Sequence, residues 1–446
     1  MGLSLRGSTS GAIDINAPAV AGDNAITLPT SNGSANQFFK NSGTAGIVTY
    51  SSMVEKSGKI GIGTDNPSNK LSITGITSVT GSIAVNGENY PTSGSLSNRN
   101  KVINGAMNIA QRSTTAVSAT GYQTVDRFMV GSSGGSISQE QHALSSGDTG
   151  PWAKGFREAF RLTNTGSATG PTAYREIDYV MEAQDVATMG WDYTNTNSFV
   201  TLSFWVKASV TQTYYQSLVS QDGTAYMRSH PLALTAGVWK YFEIAIPGDS
   251  NLQFDMNNGA GLRIRFVPFY GINYTGSVDD DTWRDASGPD YLPNMTNTWA
   301  GTTDSTFDVT GVQFELGSKA TPFEFRSTGD ELARCQRYCY RVVGNSADET
   351  ALGTGQCRDN DTVQGYIALP VTMRAAGQTV TENNMSVIVG NTVTNVSMSA
   401  SFDEGVNCVG MQLDADSGTP FTAGNGAMVR LNNSESCFFQ VTSELT

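Results

Sequence analysis

Long apolar runs, histidine and charge are all scarce in this chain of 446 residues, and each scarcity excludes something. No stretch approaches the ~20 consecutive apolar residues of a membrane span, so no membrane insertion is expected. The opening "MGLSLRGSTSGAIDINAPAV" has no apolar core behind a basic start, which is not a secretory signal. The expectation is a soluble product made in a cytoplasm. His142 and His230 are the only histidines, each in a polar sequence surround. They support no Ser-His-Asp or Cys-His arrangement, and they leave too few ligands for zinc. Five cysteines (Cys335, Cys339, Cys357, Cys408, Cys437) fall in the last quarter. An odd number at irregular spacing is no disulfide framework, so buried free thiols are expected. Charged residues make up 15% of the chain with a net charge of −13, and no basic run occurs. That balance opposes nucleic acid or an anionic bilayer as a partner.

What remains is rich in Gly, Ser, Thr and Asn, the residues that supply positive φ angles and local hydrogen bonds in turns. Sheets joined by many turns fit this composition better than a helix-rich enzyme does. The stretch "GKIGIGTDNPSNKLSITG" (58–75) has the vocabulary of a phosphate loop but not its grammar. Gly61 and Gly63 fit G-x-G, yet Asn66 stands at the third glycine, Pro67 follows, and no helical period comes after. "NKL" at 69–71 is no G-K-[ST] either. The glycines read as turns and close approaches within β structure.

Three regions differ in chemistry. Residues 1–97 have no Trp or Cys and only four aromatics, Phe38, Phe39, Tyr50 and Tyr90. So few large side chains can hardly offset the ordering entropy of a compact core. Short alternating runs nonetheless recur, "AITLPTS", "GIVTYSS", "GKIGIGT", "NKLSITG" and "GSIAVNG", each closed by a turn residue. Strands that cannot cover their own apolar faces are expected to do so against copies of themselves, in an intertwined homo-oligomeric β-shaft, most simply a threefold one; the pattern does not fix the number.

Residues 98–327 hold all six tryptophans and the clearest strands. "SFVTLSFWVKAS" puts Val200, Leu202, Phe204 and Val206 on one face, with Thr201, Ser203 and Lys207 on the other. "GVWKYFEIAIPG" aligns Phe242, Ile244 and Ile246. "AGLRIRFVPFYG" turns Leu262, Ile264, Phe266 and Phe269 inward and Arg263 and Arg265 out, and "FDVTGVQFELG" continues the alternation. Half-buried strands with few helical periods predict an antiparallel β-sandwich, in the form of a jelly roll. Trp205 and Trp239, within strands, read as packing residues. At 328–340, "TGDELARCQRYCY" switches to helical spacing, with Thr328 or Asp330 as N-cap. "GYIALPVTM", "NMSVIVG", "GAMVRLN" and "ESCFFQVTSEL" then return to strands, and no Lys follows Lys319. Residues 328–446 are therefore expected to form one short helix and a small C-terminal β-sandwich, within an all-β protein.

Two candidate sites follow from one loop. The segment 277–305 is long and carries Trp283, Tyr291 and Trp299, whose ring faces could stack on the apolar C–H side of a sugar. The same rings could instead plug the end of a sandwich or a seam between subunits. Within it, "SVDDDTWRDASGPDY" crowds five aspartates. Asp279 and Asp281 are candidate ligands of a structural calcium, although the EF-hand pattern is absent. A solvated loop or a catalytic carboxylate pair are the competing readings. No cofactor is otherwise expected.

Residues 98–130, "NRNKVINGAMNIAQRSTT…GYQTVDRFMV", resemble a pattern common in bacteriophage tail-fibre and related virion proteins. There an "INGxMxIxQR" run precedes a tyrosine and a "DR" followed by an aromatic. Residues 309–341, "VTGVQFELGSKATPFEFRSTGDELARCQRYCYR", resemble the closing strand, proline-containing turn and short helix of the same proteins. "GKIGIGTDNPSNKLSITG" and "AITLPTSNGSANQFFKNSGTAGIVTYSS" are similar to fibre-shaft modules. The resemblance implies a trimeric protein of the virion surface, synthesised in the bacterial host cytoplasm. Its N-terminus would anchor on a tail or capsid protein, and its distal domains would adhere to host-surface glycans. It supplies no catalytic residues. The short first region also admits a capsid-anchored head fibre with a structural role, and a polysaccharide-degrading tailspike is the enzymatic alternative.

Overall fold

The computed structural model describes residues 97–445 throughout and, before them, Leu3–Arg6, Ala12–Ile15, Pro29, Gln37–Asn41, 48–62, Leu71–Ile73, Ile83–Val85 and Glu88–Tyr90. Its contacts divide into two units, Met1–Gly81 and Ser82–Thr446. In the first, Leu3–Arg6 pairs antiparallel with Ala12–Ile15. A four-stranded sheet runs in the order Gln37–Asn41, Val48–Lys56, Lys59–Ile62, Leu71–Ile73, the last strand added in parallel. The glycine-rich stretch is thus a hairpin: Ser57 and Gly58 both have positive φ (54° and 73°), as a two-residue turn between right-twisted strands requires. Most of "AITLPTS" lies outside the described residues, whereas "GIVTYSS", "GKIGIGT", "NKLSITG" and "GSIAVNG" each contain a strand.

The second unit is built mainly from two antiparallel sheets that share one core. Its strands are β1 (Phe128–Ser133), β2 (Ser138–Ala143), β3 (Glu158–Asn164), β4 (Tyr174–Glu182), β5 (Phe199–Ala208), β6 (Gln212–Ser220), β7 (Tyr226–Leu234), β8 (Lys240–Pro247), β9 (Ala260–Tyr270) and β10 (Ser305–Leu316). One sheet is ordered β2-β3-β10-β5-β8; the other is ordered β7-β6-β9-β4-β1, with Arg284–Asp285 along the β7 edge. Alternation produces the core directly. Val200, Leu202, Phe204 and Val206 of β5 face Ile264 and Phe266 of β9, and all are buried to 3% exposure or less. Phe204 stacks on Phe242 (centroids 5.6 Å apart) and meets Phe266 edge-on (4.9 Å).

Beyond β10, Thr328–Gln336 is helical as the sequence predicts. Its N-cap is Ser327, not Thr328 or Asp330: the Ser327 Oγ accepts the Asp330 N–H at 3.1 Å. The remaining strands are β11 (Cys339–Val343), β12 (Thr350–Cys357), β13 (Thr362–Ala368), β14 (Thr379–Asn383), β15 (Met385–Val389), β16 (Thr392–Gly405), β17 (Cys408–Ala415), β18 (Gly426–Leu431) and β19 (Phe438–Thr442). Here the small sandwich expected from the sequence is replaced by a closed barrel, β12-β13-β17-β16-β15-β18, beside a three-stranded sheet, β11-β19-β14. Closure depends on β16, which bulges twice against β17 (at Met398/Ala400 and Phe402/Gly405). Each bulge bends the strand and sharpens its twist until the last edge meets the first.

The motif residues of 98–130 tie these parts together. Asn104, at φ 61°, is buried and closes its loop with three hydrogen bonds: its Oδ1 accepts from Ile109 N, and its Nδ2 donates to Ile109 O and Asp126 O. Gly105 is required by close approach, because a Cβ there would lie 2.0 Å from Val312 O. Gln111 donates to Asp126 and to Cys339 O, and Arg112 pairs with Glu444 at 3.0 Å. Arg127, fully buried, donates to Glu444 and to Val180 O and lies 3.5 Å over the Tyr338 ring. "QR…DR" and "RCQRYCY" thus form one internal network that also holds the C-terminal segment. All five cysteines are free; Cys335, Cys339, Cys357 and Cys437 are buried, and Cys408 is exposed.

Candidate functional site: an aromatic cleft on the five-stranded sheet

The outer face of the five-stranded sheet carries the residues that alternate with the core of β5 and β8. Cross-strand pairing sets Trp205 opposite Tyr241 and Ser203 opposite Glu243. The Trp205 and Tyr241 rings lie 5.2 Å apart at 47°, and Tyr241 is 41% exposed. The other side of Trp205 rests on the backbone of Gly150, where a Cβ would fall 2.6 Å from the ring. Neighbouring β10 bulges between its pairings with Ser203 and Trp205, and Gly311, at φ 66°, makes the bulge possible. Phe156 packs into the space that a Gly311 side chain would fill, 2.7 Å from its Cβ position.

The segment after β10 returns along this face. Phe323 and Phe325 close a ring triad with Phe156, centroids 4.8–5.1 Å apart, and Phe325 stays 50% exposed. Between triad and sheet lies a cleft of about 620 Å³, lined also by Lys154, Glu243, Ala320 and Thr321. Glu243 is fixed by the Ala320 N–H, which donates to its Oε1 at 3.0 Å, and Lys319 approaches to 3.9 Å. Nearby, Lys207 and the Trp239 indole both donate to Asp148, at 2.8 and 2.9 Å. Burial opposes ionisation of Asp148, but these hydrogen bonds prevail and hold its pKa well below the carboxylate range. A volume of this size, with apolar rings on its walls and a few fixed polar groups, is the form of a ligand site. Exposed ring faces offer stacking surface, while Glu243, Ser203 and Lys154 offer hydrogen bonds in both directions.

The sequence-predicted site residues are placed elsewhere. Trp299 has no exposed face: its Nε1–H donates to Thr306 O at 2.9 Å, its backbone N–H to Gln212 Oε1, and its ring fills the main core. Trp283 is 9% exposed and donates to Pro247 O at 2.9 Å. Both therefore act as pegs that pin 277–305 onto the sandwich, and neither can stack a sugar. Tyr291 is half-buried among other tyrosines. Asp279 and Asp281 make separate contacts. Asp281 pairs with Arg228 (3.1 Å) and His230 (2.8 Å), whereas the Asp279 carbonyl accepts from Arg284. Among the described residues, no group of three or more His, Cys, Asp or Glu could hold a metal ion. The sequence reading of Trp205 as a packing residue holds only in part: it packs against Gly150 and Tyr241 but stays half-buried on the outer face. The polar parity it shares with Thr201, Ser203 and Lys207 was the signal that could have placed it there. Its partners from 156 and 320–325 carry no such signal.

No family model matches the chain, and no curated protein matches it. Among solved structures, it is similar to the enzymatically active domain of tailspike protein 4 of bacteriophage CBA120. That match has 12% identity over 49% of this chain and 21% of that one, at a TM-score of 0.27, so the chain spans about a fifth of the tailspike. It is also similar to the family 11 carbohydrate-binding module of the cellulase Lic26A-Cel5E of Clostridium thermocellum (11% identity, 46% and 96% covered, TM-score 0.22). A third match is an apo cyclase from Fischerella sp. (8%, 50% and 98%, 0.28). The functional reading rests on the cleft.

Proposed function

We propose that this chain is the subunit of a homotrimeric bacteriophage fibre that attaches to host-surface glycan through the cleft between Trp205, Tyr241 and Phe325. The observation that carries glycan binding is the cleft itself: exposed rings on a rigid sheet around about 620 Å³, with Glu243 anchored beside them. The motifs at 98–130 and 309–341 support placement on a virion, with the first region as shaft and anchor on a tail or capsid protein. In this reading the sandwich is a jelly roll. The orders β3-β10-β5-β8 and β4-β9-β6-β7 support it, because eight consecutive strands wind between the two sheets and β1 and β2 extend the edges. Three copies bring several weak sites to one surface, so avidity provides the attachment, without turnover of the glycan.

Binding of the full chain to polysaccharide from candidate hosts tests the proposal. Trp205→Ala and Tyr241→Ala should each weaken it by roughly tenfold, the value of one aromatic contact, while thermal unfolding stays near wild type. Unchanged binding in the double variant would remove the cleft from consideration. Release of reducing ends from the same polysaccharide would replace adhesion by cleavage. A chain that sediments as a folded monomer would contradict the trimer. Immunogold labelling of virions distinguishes a tail fibre from a head fibre.

A further inference from the structure

The outer face of the six-stranded sheet carries a second pocket, of about 180 Å³, lined by Tyr174, Glu176, Arg265, Tyr270, Tyr274 and Tyr291. Three of its rings stand as walls at steep angles. Tyr174 is perpendicular to Tyr274 (90°, centroids 5.8 Å apart) and nearly so to Tyr270 (82°, 6.2 Å). Tyr291 lies beside Tyr274 at 6.2 Å and 31°, which brings the loop after β9 over the site.

The polar end of the pocket is internally compensated. Arg265 forms a bidentate pair with Asp178, Nε to Oδ1 at 2.8 Å and Nη2 to Oδ2 at 2.9 Å. Its Nε also lies 3.0 Å from Glu176 Oε2, and its Nη1 donates to the Tyr270 hydroxyl, which itself donates to Glu176 Oε2. Glu176 Oε1 has no partner among the described residues. It lies over Gly131 of β1, where a Cβ would fall 2.5 Å from it. The hydroxyls of Tyr174, Tyr274 and Tyr291 likewise have no hydrogen-bond partner among the described residues.

We infer that this pocket binds a single neutral sugar ring, with tyrosine faces against its C–H groups and Glu176 Oε1 and the tyrosine hydroxyls on its hydroxyls. A cation would meet the Arg265 guanidinium at the pocket wall, and an anion would meet Glu176 with Asp178 behind it. A neutral polyhydroxyl ring meets neither penalty and satisfies the unpartnered oxygens. The volume is below the roughly 300–1,000 Å³ of pockets that enclose larger ligands, so one ring rather than a chain is accommodated. The site differs from the cleft in sheet, residues and ligand size, and neither reading depends on the other.

Saturation-transfer NMR on the full chain tests this with four neutral probes: glucose, galactose, mannose and N-acetylglucosamine. Choline and glucuronate serve as charged probes. At least one neutral probe should give transfer that Tyr291→Ala weakens by roughly tenfold and Tyr291→Phe by less, since the second keeps the ring and the fold. The comparison is made in a Trp205→Ala background, where the cleft no longer contributes, and the Tyr291-dependent transfer should persist there. The inference is overturned if no neutral probe binds, if choline or glucuronate binds with the same Tyr291 dependence, or if the signal survives Tyr291→Ala. Loss with Trp205→Ala instead would assign the ring to the cleft.

Discussion

Glu176 sits on β4 with its carboxyl enclosed by neighbours from two strands. Asp178 is beside it on β4, Arg263, Arg265 and Tyr270 face it from β9, and β1 contributes only Gly131 and the uncharged Met129. Burial is the largest influence and Asp178 adds to it. Together they outweigh Arg265, the Tyr270 hydrogen bond and Arg263, and push Glu176 up from 4.5 to about 7. The sign follows from proton binding. Between those two values the folded chain holds a proton that the unfolded chain has released, so stability falls as pH rises from about 4.5 to 7. The expected contribution is on the order of 1–3 kcal/mol. Denaturant unfolding at a series of pH values should show this slope in the wild type and a shallower one in Glu176→Gln. An unchanged slope would place the proton elsewhere. Residue environment also separates the tryptophans: Trp299 is enclosed and holds a loop, whereas Trp205 is half-buried on an outward position and remains available to a ligand.

At the scale of elements, the cleft depends on one irregularity in β10. Gly311 takes a positive φ in the middle of a strand, and Phe156 occupies the space above it. Gly311→Ala would bring strain and a clash together, at a cost of about 1–3 kcal/mol. Because Phe156 supports Phe323 and Phe325, affinity for the proposed glycan should fall along with the melting temperature. Calorimetry and binding on one preparation check both, and affinity lost at full stability would count against this account. The barrel follows the same logic of irregular strands. β16 reads "TVTNVSMSASFDEG", mostly small and polar, which carries no clear strand signal although it is the longest strand of the barrel. Its role comes from pairing with β15 and β17, and its bulges become visible only against β17.

At the scale of the whole second unit, the charges of Arg112 and Arg127 converge on Glu444 near the C-terminus. Arg337 reaches back from the end of the helix to Glu182 at 2.8 and 2.9 Å, and Arg374 donates to Asn258 O from the barrel side. The sandwich is therefore held by ionic contacts to the helix and to the C-terminal segment, and by the Arg374–Asn258 hydrogen bond to the segment between β13 and β14. Glu444→Ala would leave two buried guanidinium groups short of their acid, at a cost of about 3–5 kcal/mol. A single cooperative melt should shift down as one transition. If the barrel alone melted early, the network would be a local feature and not a joint.

The sequence by itself determined the all-β class, the faces of β5, β8 and β9, and the helix after β10. These depend on local steric preference and on a period of two, both written in adjacent residues. Tertiary structure decided what local pattern cannot encode. Alternation marks a buried face but not whether an edge finds a partner, so a barrel stood where a sandwich was expected. Likewise, a loop position does not tell whether an indole faces water, and Trp283 and Trp299 turned inward. The cleft joins Trp205 and Tyr241 to Phe156 and Phe325, which lie on separate stretches of the chain. Only the fold brings those rings to one surface.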